Sequence, residues 1–219
     1  ETDAPTPGPG EVLVRTAAVG VNFIETYQRS GLYRVPLPFT PGAEAAGTVI
    51  AVGDGVAGVE LGSLVATAEG RASYAEQFVV PAAAAVQVPS GITAEVAAAL
   101  PLQGLTAHYL ATSAARPESG ETVLVHAGAG GVGLLLTQLL TARGVRVLTT
   151  VSTPEKRALS LAAGAVEALD YAEFADRARE LTDGAGVAVV YDGVGKDTFD
   201  DSLRALRVRG ELVLFGGAS

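Results

Sequence analysis

Cysteine is absent from the 219 residues. That excludes disulfides, iron–sulfur clusters, thiolate zinc sites and thiol nucleophiles. Histidine occurs twice, at positions 108 and 126, too few for a His-rich metal site. Positive charge is scarce as well: 15 Lys and Arg stand against 24 Asp and Glu, a net charge of -9. No basic stripe is available for a phosphate backbone to follow, which argues against nucleic-acid binding. No apolar run reaches the roughly 18 residues of a membrane span, and Glu1 to Pro9 contains no charged-then-apolar signal. The expectation is a soluble cytoplasmic protein without membrane or nucleic-acid partners.

What is present supports a packed core, since 48% of the residues are hydrophobic. The chain falls into two styles. To about residue 100 it reads as short strands separated by turn signals: strands over Val12–Val19, Ala45–Val52 and Tyr74–Val80, with Gly53-Asp54-Gly55 as a turn. Asn22 is placed to cap a short helix through Tyr27 and Arg29 that stops at Gly31. From near Leu105, strand and helix alternate. Strands are predicted over Thr122–His126, Val145–Val151, Val187–Tyr191 and Glu211–Phe215. Helices are predicted over Val132–Arg143, from Thr153-Pro154-Glu155 onward, and near 172–182 and 197–206. Val- and Leu-rich strands spaced by helices imply an α/β fold with a doubly wound parallel sheet.

Gly128-Ala129-Gly130-Gly131-Val132-Gly133 follows a predicted strand and opens a predicted helix, with the spacing G-x-G-x-x-G. A Cβ would block the tight turn and hold the backbone away from a pyrophosphate, while the helix N-terminus offers free N–H groups to the anion. A Gly-rich turn that serves packing alone is the other reading of this hexamer. The next strand ends in Thr149-Thr150-Val151-Ser152-Thr153, without the carboxylate that grips a ribose 2′-hydroxyl, and Lys156 and Arg157 follow. Hydroxyls backed by cations favour a 2′-phosphate, hence NADPH over NADH, unless Lys156 and Arg157 form an ordinary solvated helix turn. His126 ends a buried strand and reads as structural rather than catalytic, and Glu44 as a capping or hydrogen-bonding group.

Several stretches resemble the medium-chain dehydrogenase/reductase superfamily, specifically the zinc-free quinone oxidoreductases related to zeta-crystallin. They are Gly20-Val21-Asn22-Phe23-Ile24-Glu25-Thr26-Tyr27, Arg29 to Tyr33, Gly42 to Gly47, Leu102-Gln103-Gly104-Leu105-Thr106, His126 to Gly133, Val190-Tyr191-Asp192 and Leu214-Phe215-Gly216. The resemblance implies a β-rich GroES-like substrate domain over 1–103 and a Rossmann dinucleotide-binding domain over 104–219. In the zinc-dependent branch a Cys stands in place of Asn22 and a His in place of Ala43. With neither ligand the metal site is expected to be absent, and the substrate must itself be electrophilic, a quinone or a conjugated enone.

The resemblance further places Asn22 and Tyr27 as catalytic and cofactor contacts near the nicotinamide, beside the bland alternative that Asn22 caps and Tyr27 packs. Thr106 is implied at the nicotinamide ribose or diphosphate. Gly128, Gly130, Gly131, Val132 and Gly133 are implied at the diphosphate. Ser152, Lys156 and Tyr171 are implied at the adenosine phosphate, and Phe215 and Gly216 near the nicotinamide. Departures are Glu25 for a frequent Asp and Gly193 for a frequent Ser. Relatives continue past the fifth Rossmann strand to a sixth, across which they pair as homodimers, so the chain is expected to be truncated at its C-terminus. Three readings follow: an NADPH-dependent quinone reductase, an enoyl or 2-alkenal reductase on the same cofactor site, or a cofactor-binding module without turnover.

Overall fold

The computed structural model describes residues 3–219; Glu1 and Thr2, which open the stretch read as lacking a signal, lie outside the described residues. The chain divides after Leu102 into two compact units. No helix among the described residues is long and apolar enough to cross a membrane.

The first unit is built on an antiparallel sheet of β1 (Glu11–Val19), β2 (Ala45–Val52), β3 (Leu64–Thr67), β4 (Gln77–Pro81) and β5 (Val86–Gln87), in the order β4-β1-β2-β3-β5. Alternation along the strands decides its two faces. Val12 and Val14 pair across β1 and β4 with Val80 and Phe78, and all four are buried in one cluster with Ala45, Val49 and Val65. On the opposite face Ala46 pairs with Ala66, and these small side chains let α2 (Ala94–Ala98) pack Ala97 and Ala98 against the sheet. Helix α1 (Phe23–Ser30) begins after Asn22 and ends at Gly31 in the left-handed region, φ 81°.

Strand β4 starts later than the expected Tyr74. The N–H of Ser73 donates to Gly42 O and that of Tyr74 to Pro41 O, so these residues close a loop instead of extending the ladder.

In the second unit five parallel strands lie in the order β10-β9-β6-β7-β8: β6 (Thr122–Val125), β7 (Arg146–Thr150), β8 (Glu167–Leu169), β9 (Val187–Asp192) and β10 (Leu206–Leu214). Val123, Val125, Val147, Val189 and Tyr191 point to one face, where Leu136 and Leu140 of α4 (Gly131–Ala142) cover them together with Ala107 of α3 (Pro101–Tyr109). Leu124, Leu148 and Val190 point to the other, under Phe174, Ala175 and Ala178 of α6 (Phe174–Glu180) and Ala205 of α7 (Phe199–Ala205). Helix α5 (Pro154–Ala162) starts at Thr153, whose hydroxyl accepts the N–H of Lys156. The sheet is therefore doubly wound, as the sequence predicts.

Two strands differ from expectation. β8, only three residues long, is too brief to carry a period of two. β10 begins at Leu206, but its ladder with β9 is irregular up to Glu211, around Arg209 at φ 62°, and the regular part matches the expected segment. The chain runs β6, β7, β8 outward, then returns to the other side of β6 for β9 and β10. The strand order thus reverses at the carboxyl end of β6, where such folds open a crevice.

Leu140 is fully buried between α4 and the sheet. Leu140→Ala is expected to destabilise the chain by about 2–5 kcal/mol, read as a lower urea midpoint with little change of slope.

Candidate cofactor site

The turn from β6 into α4 contains the glycine hexamer at that crevice. Ala127 takes φ 51°, the N–H of Gly130 donates to Ala127 O at 2.8 Å, and the first α-helical bond runs from Leu134 N to Gly130 O at 2.9 Å. Two of the glycines are buried and serve packing. A Cβ on Gly133 would lie 2.3 Å from Ala127 O, and one on Gly128 would lie 2.3 Å from Thr149 Cβ. Gly130 and Gly131 are exposed, and no side chain caps the helix. The backbone N–H groups that open α4 therefore lack a side-chain cap, at the positive end of the helix dipole. The Gln103 carboxamide lies across Gly131, so a Cβ there would meet it. Thr106 follows Gln103 by three residues on α3, which puts the two on one side of that helix.

The other expected cofactor residues of this unit share the same edge of the sheet. Ser152 and Lys156 follow β7, and Lys156 Nζ donates to Ser152 Oγ at 3.1 Å, with both exposed. Arg157 is turned away: it donates to Ala168 O and pairs with Asp170 at 3.1 Å. Tyr171 follows β8, and its hydroxyl accepts the N–H of Ala127 at 3.1 Å. Phe215 and Gly216 follow β10. The Phe215 ring occupies the space beside Gly193, where a Cβ would stand 2.9 Å from the ring. The small residue at 193 is thus tied to the aromatic one at 215, a pairing that sequence reading alone did not bring out.

A buried polar cluster lies beneath this edge. His126 Nδ1 is 2.9 Å from Thr150 Oγ1 and Nε2 is 2.9 Å from Ser202 Oγ. Ser202 and Thr198 donate to Asp192 Oδ2 at 3.0 and 2.8 Å. The His126 ring stacks beside Tyr171, with ring centroids 6.1 Å apart, and meets Phe174 edge-on. Burial pushes the imidazole down to about 4, against a smaller upward pull from Asp192. His126 and Asp192 are 4.0 Å apart, with Ser202 hydrogen-bonded to both. At neutral pH they are not an ion pair.

In the first unit, Asn22 and Tyr27 lie at and within α1. Asn22 is buried and its Nδ2 donates to Glu44 Oε2 at 2.7 Å, so one of its amide hydrogens is engaged within the unit. Glu44, fully buried, also accepts the N–H of Leu102 at 2.8 Å, which gives it a structural role. Glu25 Oε2 accepts the Asn22 N–H at 2.7 Å and the Tyr74 hydroxyl at 2.6 Å. Burial and the Glu25 carboxylate push Tyr74 up to about 12. Tyr27 packs edge-on to Phe23 at 5.3 Å and against Tyr33 at 5.2 Å. Among the described residues no group of three or more His, Cys, Asp or Glu is placed to hold a metal ion.

Residues 8–90 match the family described as alcohol dehydrogenase GroES-like domain, and residues 131–219 match zinc-binding dehydrogenase. A quinone oxidoreductase of Pseudomonas aeruginosa is 49% identical over 97% of this chain and 67% of its own length. The chain belongs to the quinone oxidoreductases of the medium-chain dehydrogenase/reductase superfamily. Among solved structures, the mycobacterial protein Rv1454c complexed with NADPH superposes with a TM-score of 0.97 at 54% identity, covering 100% of this chain and 69% of that one. The Escherichia coli quinone oxidoreductase complexed with NADPH gives 0.96 at 41% identity, covering 100% and 68%. Like these comparisons, the curated relatives are spanned to about two thirds of their length, 67% in the Pseudomonas case.

Because His126 binds its proton more weakly when folded than when unfolded, the unfolded state takes up protons first as pH falls. Its contribution to stability is complete above pH 6.5 and lost as pH falls toward about 4. A pH titration of the His126 ring protons by NMR is expected to show no protonation until near pH 4, with the thermal midpoint declining over the same interval.

Proposed function

We propose that the chain binds NADPH at the β6–α4 corner and that the full-length protein reduces quinones with it, without zinc. The observation that carries this reading is the exposed Gly130–Gly131 backbone at the uncapped start of α4, on the edge that also holds the Lys156–Ser152 pair. A dinucleotide fits there: the buried glycines keep side chains out of the turn, and the helix end supplies donors for two phosphates. Lys156 and Ser152 are the groups for a 2′-phosphate, and the relatives solved with NADPH support that choice over NADH.

When bound, NADPH supplies a hydride; the chain supplies position. The α4 N-terminus fixes the diphosphate, Lys156 and Ser152 the adenosine end, and Phe215 with Gly216 bound the opposite end. Thr106, on the α3 side that carries Gln103, is assigned to the nicotinamide ribose or diphosphate. Asn22 and Tyr27 are assigned to the nicotinamide end on the family resemblance, Asn22 through the part of its carboxamide that Glu44 does not take. The zinc-free assignment rests on the residues at the two ligand positions, Asn22 and Ala43, in a chain without cysteine. A quinone is already electrophilic, so hydrogen bonds to the developing oxyanion replace Lewis-acid polarisation. A homodimeric, cytoplasmic full-length form follows from the same resemblance.

Saturating NADPH, at ~100 times its dissociation constant, is expected to add about 2.7 kcal/mol of stability in a thermal-shift assay. Lys156→Ala is expected to weaken NADPH about tenfold, equivalent to about 1.4 kcal/mol, and to leave NADH nearly unchanged. Equal effects on both cofactors would remove the 2′-phosphate assignment. In the full-length protein, NADPH absorbance should fall only when a quinone is added; stabilisation without quinone-dependent oxidation would reduce the reading to a binding module.

A further inference from the structure

His126 lies between the two loops that frame the corner, and the direction of every hydrogen bond around it can be worked out. Asp192 accepts four: the N–H groups of Val194 and Gly195 on Oδ1, at 2.8 and 2.9 Å, and the hydroxyls of Thr198 and Ser202 on Oδ2. Ser202 gives its only proton to Asp192, so its oxygen must accept from His126, which puts the ring proton on Nε2. Nδ1 is then an acceptor and takes the hydroxyl proton of Thr150. Thr150 Oγ1 in turn accepts the N–H of Ala127, at 3.3 Å, an N–H it shares with Tyr171. The result is an unbroken chain of bonds between the glycine loop after β6 and the Val194–Gly195 loop after β9, one-directional from Ala127 to Asp192, where the N–H groups of the second loop meet it from the other side. Its central ring is 1% exposed, and all its side chains except Tyr171 are buried. The second loop also adjoins the end of β10: Phe215 N donates to Asp192 O at 2.9 Å.

We propose that His126, held as the Nε2–H tautomer, is a positioning residue that ties the glycine loop to the loop after β9, so that the two ends of the cofactor site keep one spacing. The proposal rests on the NADPH reading above for its functional half; the tie itself does not. A ring that merely fills volume would leave each loop anchored on its own side. A relay makes each loop sensitive to a change at the far end.

The test uses two variants that each cut one end and spare the ring, Thr150→Val and Ser202→Ala, with His126→Phe as the complete break. In the cofactor-free protein, amide hydrogen exchange is read at Ala127, Val194 and Gly195 against core amides of β7. Ser202→Ala is expected to speed exchange at Ala127, and Thr150→Val at Val194 and Gly195, by about threefold or more. Nitrogen-15 shifts of the His126 ring should show the Nε2–H pattern in the parent and lose it in Ser202→Ala. NADPH titrations of the same variants should show affinity reduced several-fold, with NADH reduced in parallel because the 2′-phosphate contact is untouched. Exchange that changes only at the cut end, or a ring proton on Nδ1, overturns the tie. If the parent chain fails to bind NADPH, the cofactor reading falls, while the exchange and nitrogen-15 results still decide whether the two loops are coupled. Coupled loops with unchanged NADPH affinity would overturn the positioning role.

Discussion

The second unit depends on one close approach: the first turn of α4 pressed onto the end of β6, with Gly133 against the Ala127 carbonyl and Gly128 against Thr149. Only a missing Cβ lets helix and strand meet at this distance. The same contact leaves Gly130 and Gly131 exposed, so packing and the proposed cofactor contact draw on different members of one hexamer. The turn also follows β6, the strand at which the order reverses, where sheets of this kind bind ligands at their carboxyl edge.

That geometry would be soft without support from below, since Ala127 adopts a left-handed conformation that glycine tolerates better. Its N–H is held from two sides, by Tyr171 and by Thr150. Thr150 in turn stands on His126, Ser202 and Asp192, all buried and all partnered. A buried polar group without a partner costs about 1–3 kcal/mol, so a cluster of this kind is stable only when complete. The first unit repeats the logic at Glu44, whose two carboxylate oxygens are met by Asn22 and Leu102; Glu25 is met by Asn22 and Tyr74 at Oε2 alone, and its Oε1 is buried without a hydrogen-bond partner.

Much of this was legible in the residues. The glycine spacing between a Val-rich strand and an apolar helix located the corner, and the strand β2 and the start of α5 followed from the Gly53-Asp54-Gly55 turn signal and from Thr153 with Pro154. What was hidden is mostly long-range. His126 and Ser202 are 76 positions apart, and nothing in the local pattern joins them. Gly193 reads as a lost side chain until Phe215 is seen beside it. Asn22 reads as a cap whose amide is available, but Glu44, 22 residues on, takes one of its hydrogens. Tyr74 reads as strand because aromatic and β-branched residues follow it, whereas its backbone N–H is taken by Pro41 O.

The central claim, that a dinucleotide rests on the bare backbone at the start of α4, is tested most directly by following backbone amide resonances while NADPH is added. The account predicts that the largest shifts fall on Gly130, Gly131 and Val132, with a second group at Ser152 and Lys156. NADPH binding that leaves these five resonances in place, and moves others far from the carboxyl edge of the parallel sheet, would contradict it.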